Sequence, residues 1–116
     1  MNQPNYRLLV QQLLSDDVDQ QMEAQKTLLA LEEDAVTGLL DEYYAGVNEA
    51  QGLAILEILA QIGGYEALNA LRSLIFFDLS TPAALRTAAA QGLLQNSDNL
   101  SPDEIQKVTD YLSREN

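Results

Sequence analysis

Hydrophobic spacing constrains this chain more than any other feature. Apolar residues recur three and four positions apart along nearly the whole length, while alternating patterns and runs rich in Val, Thr and aromatic residues are missing. Helices rather than strands are therefore expected throughout. Caps and breakers cut the pattern into about seven helices. Pro4 suits a first helical position and opens a segment carrying Leu8, Leu9 and Leu13. Ser15-Asp16 caps a second segment, which runs through Met22, Leu28 and Leu31 to Glu32-Glu33-Asp34. The third, residues 35–44, presents Val36, Leu39, Leu40 and Tyr43 on one face. Asp34 is placed to cap its start, and Gly46 to end it in a left-handed turn. Asn48 and Gln51 form a capping box for the fourth, whose Leu53, Ala54, Leu56, Ile58, Leu59 and Ile62 surround it on most sides before Gly63-Gly64. Such a helix belongs at the centre of the core. The fifth, residues 65–77, turns Leu68, Leu71 and Ile75 inward. Thr81 as N-cap and Pro82 at the first position open the sixth, with Leu85, Ala88, Ala89 and Leu93. Ser101, Pro102 and Glu104 repeat the signal as a capping box for the seventh, with Ile105, Val108 and Leu112 inside.

At 116 residues the chain is long enough for one core of its own. Cysteine and histidine are absent, which removes thiol nucleophiles, imidazole bases, disulfides and the usual nitrogen and sulfur metal ligands. No enzyme activity and no cofactor are expected. The 18 acidic against 6 basic side chains give a net charge of −12, which opposes nucleic acid and anionic lipid as partners. No apolar run approaches the ~20 residues that span a bilayer. The opening Met1–Arg7 shows no secretory signal pattern, so a cytoplasmic location is expected. The polar stretch 95–100 lacks the Asp-x-Asp-x-Asp-Gly spacing of a calcium loop.

The segments also repeat. Ala24, Ala54 and Ala88 fall in one column and Leu29, Leu59 and Leu93 in another, spaced by 30 and 34 residues. This is the period of stacked helical hairpins, with a small residue where first helices approach closely. Leu59-Ala60-Gln61-Ile62-Gly63-Gly64-Tyr65-Glu66-Ala67-Leu68-Asn69-Ala70-Leu71 resembles the hinge and second helix of the HEAT repeat family, with Gly64-Tyr65 where that family has Asp-Pro. Leu85-Arg86-Thr87-Ala88-Ala89-Ala90 is similar to the start of a HEAT first helix. The resemblance, closest to short bacterial members, implies an all-α, right-handed α-solenoid of about three hairpins. Residues 1–15 would be an N-terminal cap helix, with 16–46, 47–79 and 80–116 as the three units. It further implies a protein-binding adaptor, chaperone-like protein or regulatory subunit. A narrower implication is the phycobilisome-lyase branch, in which this chain, short and without Cys or His, would be an accessory of bilin handling.

In such a stack the second helices form the face presented to partners. Val36, Leu68 and Ile105 make its inner column, and three outward columns follow: Thr37, Asn69 and Gln106; Asp41, Ser73 and Asp110; Tyr44, Phe76 and Ser113. Tyr44 and Phe76 would anchor a partner of basic or mixed surface, while Asp41, Glu42 and Asp110 meet its cations. Adjacent helical residues diverge by about 100°, so Tyr43-Tyr44 and Phe76-Phe77 must each expose at least one ring. Such rings could also pair two copies of the chain. Asp16, Asp17, Asp19 and Glu23 sit where a helix N-terminus favours negative charge. Arg86 is expected to pair with an acid of a neighbouring unit.

Overall fold

A computed structural model describes residues 4–78 and 80–115. Met1 to Gln3 of the opening stretch, and Leu79 and Asn116 at the ends of the second and third assigned units, lie outside the described residues. The described residues are all-helical: α1 (Tyr6–Leu13), α2 (Val18–Leu31), α3 (Asp34–Ala45), α4 (Glu49–Ile62), α5 (Tyr65–Phe76), α6 (Ala83–Gln95), a 3-10 turn (Ser97–Asn99) and α7 (Pro102–Glu115), with no strand among them.

Where side-chain oxygens find a backbone N–H at the expected offset, the helix starts follow the sequence signals. Asn48 accepts from Gln51 N at 2.8 Å and Gln51 Oε1 from Asn48 N at 3.1 Å, closing the capping box of α4. Ser101 Oγ accepts from Glu104 N at 3.1 Å, but the Glu104 carboxylate turns to Arg72, so only the serine half of the second box forms. Four starts shift by one or two residues. Asn5 rather than Pro4 opens α1, accepting from Leu8 N. Asp17 rather than Ser15-Asp16 caps α2, while Ser15 Oγ accepts from Asp17 N and steadies the turn before it. Asp34 lies inside α3 and caps nothing; Glu33, helical itself, holds the cap position. Pro82 takes the cap position of α6, and Thr81 is buried with its hydroxyl unpartnered among the described residues. Both helices stop at the expected glycines, but only Gly63, at φ +68°, is in the left-handed helical turn; Gly46, at φ +116° and ψ 109°, ends α3 in a positive-φ conformation outside that region, open to glycine for want of a Cβ.

Helix α4 is the centre. It buries Gly52, Ile55, Leu56, Ile58, Leu59 and Ala60 and packs against α1, α2, α3, α5 and α6. Its Leu53 is the exception, partly exposed, as are Met22 of α2 and Leu8 of α1. Of the alanine column, Ala24 is buried, whereas Ala54 and Ala88 are half-buried and line shallow grooves, so the close contact of α4 with α6 is not there. It lies at Gly92 of α6, where an added Cβ would stand 3.0 Å from Ala60 Cβ, and at Gly52 of α4, 3.0 Å from a Leu85 methyl. The Leu59 and Leu93 positions are fully buried and Leu29 half-buried. Asn96 locks the end of this pair by donating to Ala60 O at 2.9 Å and Gly92 O at 3.0 Å. The molecule is elongated, 41 × 25 × 24 Å.

At the other end, the Tyr6 ring of α1 lies directly on the backbone of Gly38 in α3, and its hydroxyl reaches Asp34 O at 3.4 Å. A Cβ at Gly38 would fall inside that ring. Gly38→Ala should therefore lower stability by about 1–3 kcal/mol, although glycine to alanine at an unobstructed helix position gains about 1 kcal/mol. Denaturant midpoints check this, and with Tyr6→Ala in the background the same substitution should become stabilising. A raised midpoint for Gly38→Ala alone would refute the packing.

Candidate functional site

Helices α5 and α7 each pack on α6 and barely meet one another. Two adjoining cavities open between them, of about 560 Å³ and 300 Å³, sharing Phe76 and Lys107 in their walls and so forming one furrow. Two ties set its width. Arg72 of α5 grips Glu104 of α7 with both Nε and Nη2, the latter at 3.1 Å, and its Nη1 donates to Asn69 at 2.7 Å. Arg86 of α6 donates from Nη2 to Ile75 O at 2.8 Å and lays its guanidinium over the Tyr111 ring, 5.2 Å from the centroid.

The larger cavity is lined by Phe76, Phe77, Ser101 and Asp103 around the Arg72–Glu104 pair, so its charge is internally compensated and its aromatic rings dominate. The smaller is lined by Arg86, Lys107, Arg114, Asp110 and Tyr111 over a floor of Ile75 and Phe76. Four of the chain's six basic side chains thus face one furrow of a strongly acidic protein.

The aromatic doublets resolve. Tyr44 is 59% and Phe77 78% exposed, while Tyr43 and Phe76 are half-buried against the core. Tyr43 and Tyr44 meet edge to face with centroids 5.2 Å apart. Asp78, which follows Phe77, lies close enough to both phenols for its charge to act on them, so Tyr44 and Phe77 belong to the same end of the fold. Burial, then Tyr44 and Asp78, push the Tyr43 phenol above its ordinary value of 10.0, and burial followed by Asp78 does the same for Tyr44. Asp78 itself is held below the usual carboxylate range, first by the Ser80 hydroxyl at 2.6 Å.

Of the strip expected from sequence, Thr37, Asp41 and Tyr44 of α3 and Gln106, Asp110 and Ser113 of α7 are exposed, whereas Asn69, Ser73 and Phe76 of α5 are recessed between them. The inner column holds: Val36 and Leu68 are buried and Ile105 packs half-buried on the core. Phe76 is furrow wall rather than edge anchor; the exposed ring is Phe77, which the columns had passed over. Asp110 accepts from Gln106 at 2.9 Å, and Glu42 stands 3.7 Å from Arg7, a loose surface pair. Arg86 meets a carbonyl and a ring, and among the described residues it has no acidic partner. The cations of the furrow were missed although Lys107, Tyr111 and Arg114 follow helical spacing, which sets them on one face of α7. Compared with protein-family models, curated proteins and solved structures, the chain matches none.

A phenol whose folded pKa is raised lends stability that is complete below its unfolded value and is lost as pH climbs through the folded value. Wild-type protein should therefore lose melting temperature above about pH 10, and the loss should shrink in Tyr43→Phe and Tyr44→Phe. Absorbance titration near 295 nm should show the late-ionising component diminished in each variant. Unchanged alkaline melts and titration curves would contradict the placement of these rings.

Proposed function

We propose that the hairpins α2/α3, α4/α5 and α6/α7, with α1 as cap, form a short HEAT-type right-handed solenoid that works as a non-enzymatic protein-interaction module in the cytoplasm. The hairpin stacking is supported by the packing of α4 against both α2 and α6 and by the contacts of α2 with α3, α4 with α5 and α6 with α7. The partner docks on the face of α3, α5 and α7.

The observation that carries this reading is the exposure of two large rings, Tyr44 and Phe77, at the C-terminal ends of neighbouring second helices and beside a furrow. Large aromatics at 59% and 78% exposure lose apolar contact with water only when something covers them. Around them Asp41, Asp78 and Glu42 supply negative charge, suiting a partner of basic or mixed surface. Acid–base chemistry finds less support, because the carboxyl with a shifted pKa, Asp78, is displaced downward, away from what a general acid needs.

A partner captured by the wild-type protein should bind Tyr44→Ser/Phe77→Ser at least about tenfold more weakly, with an unchanged melting temperature, and its binding should weaken with added salt. Undiminished binding by the double variant would reject the face. The same rings would also accept a second copy of the chain. Sedimentation equilibrium at high concentration decides that reading, since a monomer mass eliminates it.

A further inference from the structure

The geometry points to the smaller cavity between α5, α6 and α7 as a binding site for a compact oxyanion, a carboxylate or a phosphate group. This assignment rests on the cavity itself and holds whether or not the α3–α5–α7 face docks a protein.

Charge balance is the first ground. Arg86, Lys107 and Arg114 converge on a space of about 300 Å³, and the one acid in its wall, Asp110, is engaged by Gln106 on the outer surface of α7. Among the described residues none of the three cations has an ion-pair partner, in a chain with 18 acidic side chains. The neutral Gln106 amide leaves the Asp110 charge in place, so the wall holds three positive charges against one negative and keeps a local positive surplus.

The second ground is hydrogen bonding. Arg86 is half-buried and commits one Nη2 donor to Ile75 O, while its Nε and the neighbouring Tyr111 hydroxyl are buried without partners among the described residues. Buried polar groups are normally satisfied, and these two belong to side chains of the cavity wall, so the wall holds donors for which the described residues supply no acceptor. Arg86 is also braced by the Tyr111 ring and the Ile75 carbonyl, so its planar fork is already ordered for an oxyanion. Lys107 and Arg114, one above the other on α7, would close over the same group from the rim.

The surroundings narrow the ligand. A long polyanion would meet the repulsion of a molecule at −12, whereas a single oxyanion feels mainly the three nearby cations. The adjoining cavity of about 560 Å³ is walled by Phe76 and Phe77, its Arg72 is matched by Glu104, and Lys107 shared with the smaller cavity is its one other cation, set against Asp103. A carboxylate carried next to an apolar group, as at the C-terminus of a peptide, fills both chambers; a free phosphate fills one.

The test is an NMR titration of the 15N-labelled full chain at constant ionic strength with three probes: N-acetyl-phenylalanine, its neutral amide, and inorganic phosphate. The two anions should shift the Arg86 Nε–Hε resonance and the backbone amides of residues 107–114 saturably, and the neutral amide should leave the Arg86 resonance in place. Tighter binding of N-acetyl-phenylalanine, with added shifts at Phe76 and Phe77, identifies a peptide carboxylate as the source; tighter binding of phosphate identifies free phosphate. Lys107→Gln/Arg114→Gln, both exposed and so harmless to folding, should weaken either anion by about tenfold. Equal shifts by the neutral amide, no saturable response to either anion, or affinity unchanged in the double variant would each overturn the assignment.

Discussion

The burial of α4 is the constraint on which the rest of this structure depends. A helix with Ile55, Leu56, Ile58 and Leu59 all within 2% of full burial keeps only a narrow solvent stripe, at Leu53, Glu57 and Gln61. Each such side chain contributes roughly 1.5–3 kcal/mol when removed from water, so the chain gains most by surrounding α4, and five of the other helices touch it. The glycines decide how. Gly92 meets Ala60 and Gly52 meets Leu85 at van der Waals limits, which lets α6 lie closer to α4 than larger residues would permit. Asn96 then ties the α6 terminus to the Ala60 carbonyl, so the pair is bonded at its end as well as packed along its length.

Between α5 and α7 direct packing is sparse, and there the charge acquires meaning. Because α5 and α7 are both held by α6, their separation is set by Arg72–Glu104 and by Arg86 over Tyr111 rather than by interdigitating apolar side chains. Polar struts of this kind keep two helices apart and oriented, which a hydrophobic seam would not do. The net charge of −12 describes the outside of the molecule, while the furrow carries the opposite sign locally.

The helices were legible in the sequence because their signals are local. The capping box at Asn48 and Gln51, the glycine stops at Gly46 and Gly63, and the apolar spacing of α4 each need only residues within a few positions of one another. Shifts of a residue or two arose where neighbouring side chains compete for one cap, as Ser15 and Asp17 do, or where tertiary burial draws the candidate inward, as with Thr81. The furrow was not legible for the opposite reason. Arg86 and Tyr111 lie 25 positions apart, and Arg72 and Glu104 lie 32 apart. Nothing local says which acid an arginine will meet: the capping role of Glu104 was visible at three residues' range, while its stronger attachment to Arg72 required the fold. The exposure of Phe77 over Phe76 likewise depended on where α5 ends, a matter of one residue, since the ring beyond the last turn is released from the helix face that packs on the core.

This division between local and distant signals bears on where function can sit in a chain so small. The largest buried apolar residues pack around α4, and α6 lies against it at Gly92 and Gly52, while the grooves beside α4, at Ala54 and at Ala88, carry none of the chain's basic side chains. What remains adjustable is the decoration of the facing sides of α5 and α7, since α5 meets α4 and α6 through its buried side and α7 meets α6, so their facing side chains can vary without opening the core. A helical pair held apart by two arginines costs stability relative to one zipped by leucines, because each guanidinium must be partly desolvated and the Arg86 charge is left without an acid among the described residues. That cost is intelligible if the gap between the two helices is what the rest of the fold exists to hold open.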